Sequence, residues 1–206
     1  KSFQKYSNLQ VAIIDDINTL TEGDLGDENC AISFLKLLYC PELDRCSCKF
    51  FRNLLSFQGP CIQIIKQNVF YACSSLKFVQ LDNVEQLGTQ CFLYCQSLLN
   101  VAIDKVVEIP DECFGYCSSL QYLSAESVQQ VGSNAFIGCD SLIKVKANHK
   151  IKSLELLLQK NQKKFFEELN FLIDNRYINK KSFHRLLYAI LRAHTLKQCQ
   201  TANSLS

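Results

Sequence analysis

Apolar residues recur along this chain with one long, fixed period. Phe70, Phe92, Phe114 and Phe136 lie 22 residues apart, and Cys73, Cys95, Cys117 and Cys139 follow three positions behind them. Leu76, Leu98, Leu120 and Leu142 come three positions later, each preceded by a serine. Further columns hold Val79, Val101, Leu123 and Val145, then Leu81, Ile103, Ala125 and Ala147. Val84, Val106 and Val128 precede a last column of Leu87, Ile109 and Val131. The unit reads F-x-x-C-x-S-L-x-x-V-x-L-x-x-V-x-x-L-G-x-x-[AC]-F. A period of this size is the signature of a solenoid, in which each unit buries its apolar face against its neighbours.

The unit predicts three local pieces. L-x-x-V-x-L alternates as a short strand with one face inward. V-x-x-L-G predicts a second short extended piece closed by a glycine turn, and x-x-[AC]-F-x-x-C predicts one helical or 3₁₀ turn with Phe and Cys inward. Parallel coils stacked at ~4.8 Å make a ladder in which the Phe column becomes an aromatic spine.

Upstream the frame continues with slips. Phe51 is read as the Phe column, leading to Leu54, Phe57, Gly59, Ile62 and Ile65 after a three-residue shortening. Leu35, Leu38, Cys40, Leu43 and Cys46 hold columns before it, after an insertion of about four residues around Gly26 to Cys30. A first unit runs Phe3, Leu9, Ala12, Ile14, Ile17, Leu20 and Leu25. Seven units thus cover residues 1–150. The chain opens on Lys1-Ser2-Phe3 in mid-pattern, and solenoid ends need caps, so earlier coils or a capping segment are expected ahead of it.

"VGSNAFIGCDSLIKV", Val131 to Val145, with "VFYACSSLKFVQL" and "CFGYCSSLQYL", resembles the BspA-like, Treponema pallidum-type leucine-rich repeat. That pattern runs close to [IV]-G-x-x-A-F-x-x-C-x-S-L-x-x-[VI]-x-[LI]-P-x-[SG]-V. Asp82, Asp104 and Glu126 stand where the pattern has proline. The resemblance implies a solenoid that acts in protein binding and adhesion, with many members on the surfaces of bacteria and parasitic protists. The expected fold class is an α+β solenoid of leucine-rich-repeat coils with a parallel β ladder, followed by a C-terminal α-helical hairpin.

Twelve cysteines change the picture less than their number suggests. Cys91-x3-Cys95 and Cys113-x3-Cys117 have the look of a four-thiolate zinc site. Cys91 and Cys113, however, occupy a column where other units place Val69 or Ala135, which argues for packing, so no metal and no cofactor is expected. Stacked cysteines in adjacent coils also fall inside the disulfide window, beside the alternative of buried reduced thiols. Cys30, Cys48, Cys61 and Cys199 fall outside the core columns in this reading and are the candidates for exposed chemistry. The absence of Asn-x-Ser/Thr sequons favours a cytoplasmic setting, with the cell surface, where disulfides would form, as the alternative.

Charge divides the chain. Residues 148–206 carry 11 Lys/Arg against 4 Asp/Glu, whereas residues 1–147 carry 11 against 16. Leu154, Leu157, Leu158, Phe165, Leu169, Leu172 and Ile173 form a helical stripe; Phe183, Leu187, Ile190, Leu191 and His194 form another. Residues 151–206 therefore read as a basic helical hairpin or cap with a flexible tail. Lys160, Lys163, Lys164, Lys180, Lys181, Arg185, Arg192 and Lys197 are candidates for docking an acidic partner, while the aromatics at helix-face spacing disfavour nucleic acid.

With 206 residues, 48% apolar and a net charge of +2, the chain excludes low-complexity disorder, and no run is long enough to span a bilayer. No Gly-rich phosphate loop, H-E-x-x-H or G-x-S-x-G is present. His149, His184 and His194 have no identifiable nucleophile, so a binding role in a protein complex is expected rather than an enzymatic one. Its face would be the outward strand residues Phe78, Gln80, Asn100, Tyr122, Ser124, Lys144 and Lys146, with Gln58 and Ala102 in the same columns.

Overall fold

The computed structural model describes residues 8–25, 30–148 and 151–174. In chain order the elements are β1 (Val11–Asp16), β2 (Thr19–Leu20), β3 (Phe34–Tyr39), β4 (Glu42–Leu43), β5 (Ser56–Gln58), β6 (Ile64–Ile65) and β7 (Phe78–Gln80). They continue with β8 (Gln86–Leu87), β9 (Asn100–Ala102), β10 (Glu108–Ile109), β11 (Tyr122–Ser124), β12 (Gln130–Val131), β13 (Lys144–Lys146) and α1 (Lys152–Asp174). Odd-numbered strands stack in one parallel seven-stranded sheet in chain order, so each unit counted in the sequence contributes one rung. Inward residues Ala12, Leu35, Phe57, Val101 and Leu123 are buried, as strand alternation requires.

Register corrects three details of the frame. Val11 pairs with Phe34 and Leu20 with Leu43, so the first coil is one residue longer than its successors, not four. Leu37, not Leu38, fills the core position paired with Ile14. From Leu35 onward each coil keeps 22 residues with no shortening, because Leu35 pairs with Phe57 and Phe57 with Val79. Consequently Cys48, not Phe51, stands in the Phe column: its N–H bonds Val69 as that of Phe70 bonds Cys91. Phe51 stands in the Cys column and Cys48 is fully buried, contrary to its expected exposure. Cys46 is half-buried, in a turn column with Asn68 and Gln90 rather than in a core column.

The aromatic spine is continuous. Phe70, Phe92, Phe114 and Phe136 stack at centroid separations of 5.1, 5.3 and 5.4 Å, nearly parallel. Where Cys48 interrupts the column, Phe57 supplies the ring instead, edge-on to Phe70 at 4.8 Å. Offset and edge-to-face ring pairs of this kind add ~1 kcal/mol each beyond their buried area.

The third side of each coil is neither helix nor 3₁₀ turn. It is a pair of turns with two left-handed residues per coil: Asn68 and Ala72, Gln90 and Tyr94, Glu112 and Tyr116. That geometry points alternate N–H groups along the stack, so Asn68, Phe70 and Ala72 donate to Thr89, Cys91 and Leu93 of the next coil. A helical turn would have consumed those donors within its own coil. The left-handed region costs ~1–2 kcal/mol for a non-glycine residue, offset here by one cross-coil bond at each alternate position.

The second sheet breaks in two, β2-β4-β6-β8 and β10-β12. Lys66, Gly88 and Gly132 donate their N–H groups to Leu43, Ile65 and Ile109, one coil back. Pro110 occupies the same position and has no N–H to offer Leu87. Gly88 is required by contact: a Cβ there would run into the backbone of Lys66 and Gln67.

Residues 1–161 form one compact unit and 162–206 a second. Within the first, the opening turns of α1 close the last coil. Leu154 joins the core, Ile151, Leu157 and Leu158 pack against it, and the buried Asn161 donates from Nδ2 to the carbonyls of Cys139 and Leu142, both at 2.9 Å. In the second unit Lys163 and Glu167 pair at 3.8 Å along the helix. The expected second helix and tail lie outside the described residues, as does Cys199.

Candidate interaction face

Parallel register places the outward strand residues in two straight columns. Val11, Phe34, Ser56, Phe78, Asn100, Tyr122 and Lys144 make one. Ile13, Lys36, Gln58 and Gln80 begin the other, which ends in Ala102, Ser124 and Lys146. The candidates Phe78, Gln80, Asn100, Tyr122, Ser124, Lys144 and Lys146 therefore share one surface, but their environments differ.

Phe78, at the middle of the sheet, is 55% exposed. Its neighbours Gln80, Asn100 and Ala102 are exposed too. Gln80 donates its amide N–H to Asp82 at 2.7 Å. Ser124, by contrast, is buried, its hydroxyl donating to Asp104 at 2.6 Å. The same carboxylate oxygen accepts the Glu126 N–H, so Ser124 serves the sheet rather than its surface. At the C-terminal end Lys144 lies over the Tyr122 ring at 5.4 Å and Lys146 pairs with Glu126. The Glu126 carboxylate beside Lys146 holds that ammonium above its ordinary pKa.

Two apolar members of the face escaped the sequence reading. Val11 and Ile13 are 54% and 62% exposed and stand in the columns of Phe78 and Gln80. Their signal was masked by the frame slip in the first coil, because only a 23-residue step puts them in register. A second exposed feature was also missed, on the turn side. Phe50, Tyr71, Tyr94 and Tyr116 form an outer ring ladder at 5.5, 5.8 and 4.9 Å, with Lys49 over its first two members. Tyr94 and Tyr116 stack almost parallel, so they present edges and hydroxyls instead of faces.

The cysteine column has a chemical reason that packing alone does not give. Cys73, Cys95, Cys117 and Cys139 donate their thiols to the carbonyls of Cys48, Phe70, Phe92 and Phe114, one coil back, at 2.9–3.2 Å. Burial pushes Cys73 and Cys139 up to about 12 and raises Cys95 and Cys117 well above the ordinary thiol value. Such thiols are poor nucleophiles and poor metal ligands as they stand. Among the described residues no three His, Cys, Asp or Glu converge as metal ligands would. Of the other two cysteines expected to be exposed, Cys30 is half-buried and Cys61 exposed.

Of the basic candidates, Lys160, Lys163 and Lys164 are exposed on α1. Lys180, Lys181, Arg185 and Arg192 lie outside the described residues, with Lys197. No helix among the described residues is long and apolar enough to cross a membrane.

Comparison with known proteins agrees with the coil geometry. The chain is similar to a leucine rich cell surface protein from Faecalibacterium prausnitzii A2-165, with TM-score 0.52 and 17% identity over 69% of this chain and 48% of that one. It is also similar to a leucine-rich repeat protein from Bacteroides ovatus ATCC 8483, with TM-score 0.45 and 22% identity over 69% and 50%. The chain thus spans about half the length of these solved structures. No curated protein matches it by sequence. The profile described as BspA type leucine rich repeat region, in six copies, matches residues 46–165, more than half of the chain. On that match and the 22-residue parallel coils, the chain belongs to the BspA type leucine-rich repeat family.

Proposed function

We propose that this chain is a non-catalytic protein-binding module, displayed at the cell surface, that meets its partner with the outer face of its seven-stranded sheet. The observation that carries the reading is Phe78: an aromatic residue more than half exposed, amid polar Gln80 and Asn100, on a parallel sheet. A large aromatic with few rotamers set in a polar surround has the composition of an interface anchor. Val11 and Ile13 extend the apolar area on the same face, and Tyr122 with Lys144 adds an amphipathic end. The carboxylates around it are engaged as surface pairs, Asp82 with Gln80 and Glu126 with Lys146. This supports recognition rather than acid–base chemistry.

A surface setting is favoured over the cytoplasm by the Faecalibacterium protein, described as a cell surface protein, and by the surface membership that the repeat implies. Buried thiols suit either compartment. The basic side chains on α1 take a secondary place, because Asn161 and Leu154 give the start of that helix a structural task.

The test has two arms. Intact cells of the native source, treated with a membrane-impermeant amine reagent, should yield labelled protein; labelling only after lysis would return the chain to the interior. Phe78→Ala with Tyr122→Ala should weaken capture of the native partner at least tenfold with unchanged circular dichroism, about 1.4 kcal/mol. Undiminished capture would move the interface off this sheet.

A further inference from the structure

Two cysteine columns run through the solenoid, and they are used differently. Cys73, Cys95, Cys117 and Cys139 each commit their thiol to a carbonyl one coil back. Cys91 and Cys113 have each other: their sulfurs face across adjacent coils at 3.3 Å, both fully buried. Packing alone does not demand thiols there, since the same column holds Ser47, Val69 and Ala135 in other coils. The backbone beside them is already locked in register, Phe92 donating to the Cys113 carbonyl at 2.9 Å. Parallel rungs set Cα atoms about 4.8 Å apart, inside the 4.4–6.8 Å range that a disulfide spans. Closing the bond needs an approach of ~1.2 Å between the sulfurs, within reach of side-chain rotation.

We propose that Cys91 and Cys113 are a cross-coil disulfide site, joined when the chain folds in the presence of a small-molecule disulfide such as oxidised glutathione. One cysteine thiolate attacks the reagent and expels one reduced thiol, leaving a mixed disulfide on the protein. The second thiolate then displaces the other half. Two protein S–H bonds and one reagent S–S bond become one protein S–S bond and two small thiols, which take up the two protons. Exchange precedes closure of the coils, because in the finished fold burial holds the Cys113 thiol protonated well above its ordinary pKa. The bond closes a loop of 22 residues and staples the middle of the stack beside the Phe92–Phe114 pair. It depends only on the oxidant, so its test stands apart from partner binding.

The full chain is unfolded under reductant, refolded across a series of glutathione redox buffers, alkylated and digested with trypsin without reduction. The expected result is a linked pair of peptides, 78–105 with 106–144, whose fragments place the bond at Cys91–Cys113. Two thiols per chain are lost, and the melting midpoint stands roughly 5–10 °C above that of the reduced chain. Cys113→Ala, copying Ala135, and Cys91→Val, copying Val69, should each abolish the link and the reductant sensitivity, whereas Cys95→Ala should keep both. A full thiol count at the oxidising end, or a bond between Cys95 and Cys117 instead, overturns the proposal.

Discussion

The thiol of Cys95 donates to the backbone carbonyl of Phe70 across 3.1 Å, from one coil to the coil before it. The contact recurs at every step from Cys73 to Cys139, always reaching back 25 residues. The Phe70 carbonyl already accepts the Cys73 N–H within its own coil, so the thiol supplies a second donor to a buried acceptor and ties one coil to the next. Cys95→Ala should therefore destabilise the protein by ~2 kcal/mol, part cavity and part lost bond. Cys95→Ser, which keeps a donor, should cost less; equal losses in urea unfolding would reduce the column to packing.

Alkali should act through the same thiols. In the unfolded chain they ionise near 9.0, whereas burial holds Cys73 and Cys139 protonated up to about 12. The folded state thus keeps protons that the unfolded state releases. Stability is full below pH 9 and declines between pH 9 and 12, by up to ~1.4 kcal/mol per pH unit for each such thiol. Urea midpoints at pH 7.5 and pH 10, both under reductant, check it; a midpoint that does not move contradicts it. Cys117→Ala should flatten the decline.

Regular columns were legible in the sequence because four successive units repeat the same letters at the same spacing. What hid were the places where one side chain stands in for another. Phe51 matches the Phe column by identity, although the position 22 before Phe70 is Cys48. The ring missing there is restored by Phe57 from the strand, a substitution visible only in three dimensions. The left-handed turns were hidden for a related reason. Asn68, Gln90 and Glu112 carry no glycine signal, and the cross-coil bonds that hold them belong to no single unit. The face columns were legible from Phe78 to Lys146, but not the burial of Ser124, which depends on Asp104 in the preceding coil.

That stand-in makes a sharp prediction at coil three. Restoring the consensus ring with Cys48→Phe should destabilise the protein, because Phe57 already fills the space under Phe70. Overpacking of this kind costs ~1–3 kcal/mol. Phe57→Val, which copies Val79, should recover part of the loss in the double variant. A neutral Cys48→Phe in thermal unfolding would mean that the site is roomier than the ring contact implies.

Asn161 offers a local test of the cap. Its amide serves two carbonyls of the last coil from within a helix, where neither would otherwise meet a further coil. Asn161→Leu should remove ~2 kcal/mol. Because a solenoid unravels from its ends, amide exchange should quicken first in residues 139–148 and leave residues 70–100 protected. Uniform acceleration along the stack would contradict a capping role.

The reading of this protein as a sheet-face binder is tested most directly by site-specific photo-cross-linking in the native setting. A photoreactive phenylalanine replaces Phe78 on the sheet or Tyr116 on the outer ring ladder, and the captured proteins are identified by mass spectrometry. The account predicts one protein cross-linked from position 78 and absent from position 116. Capture from position 116 alone would contradict it, placing the partner on the turn side of the solenoid.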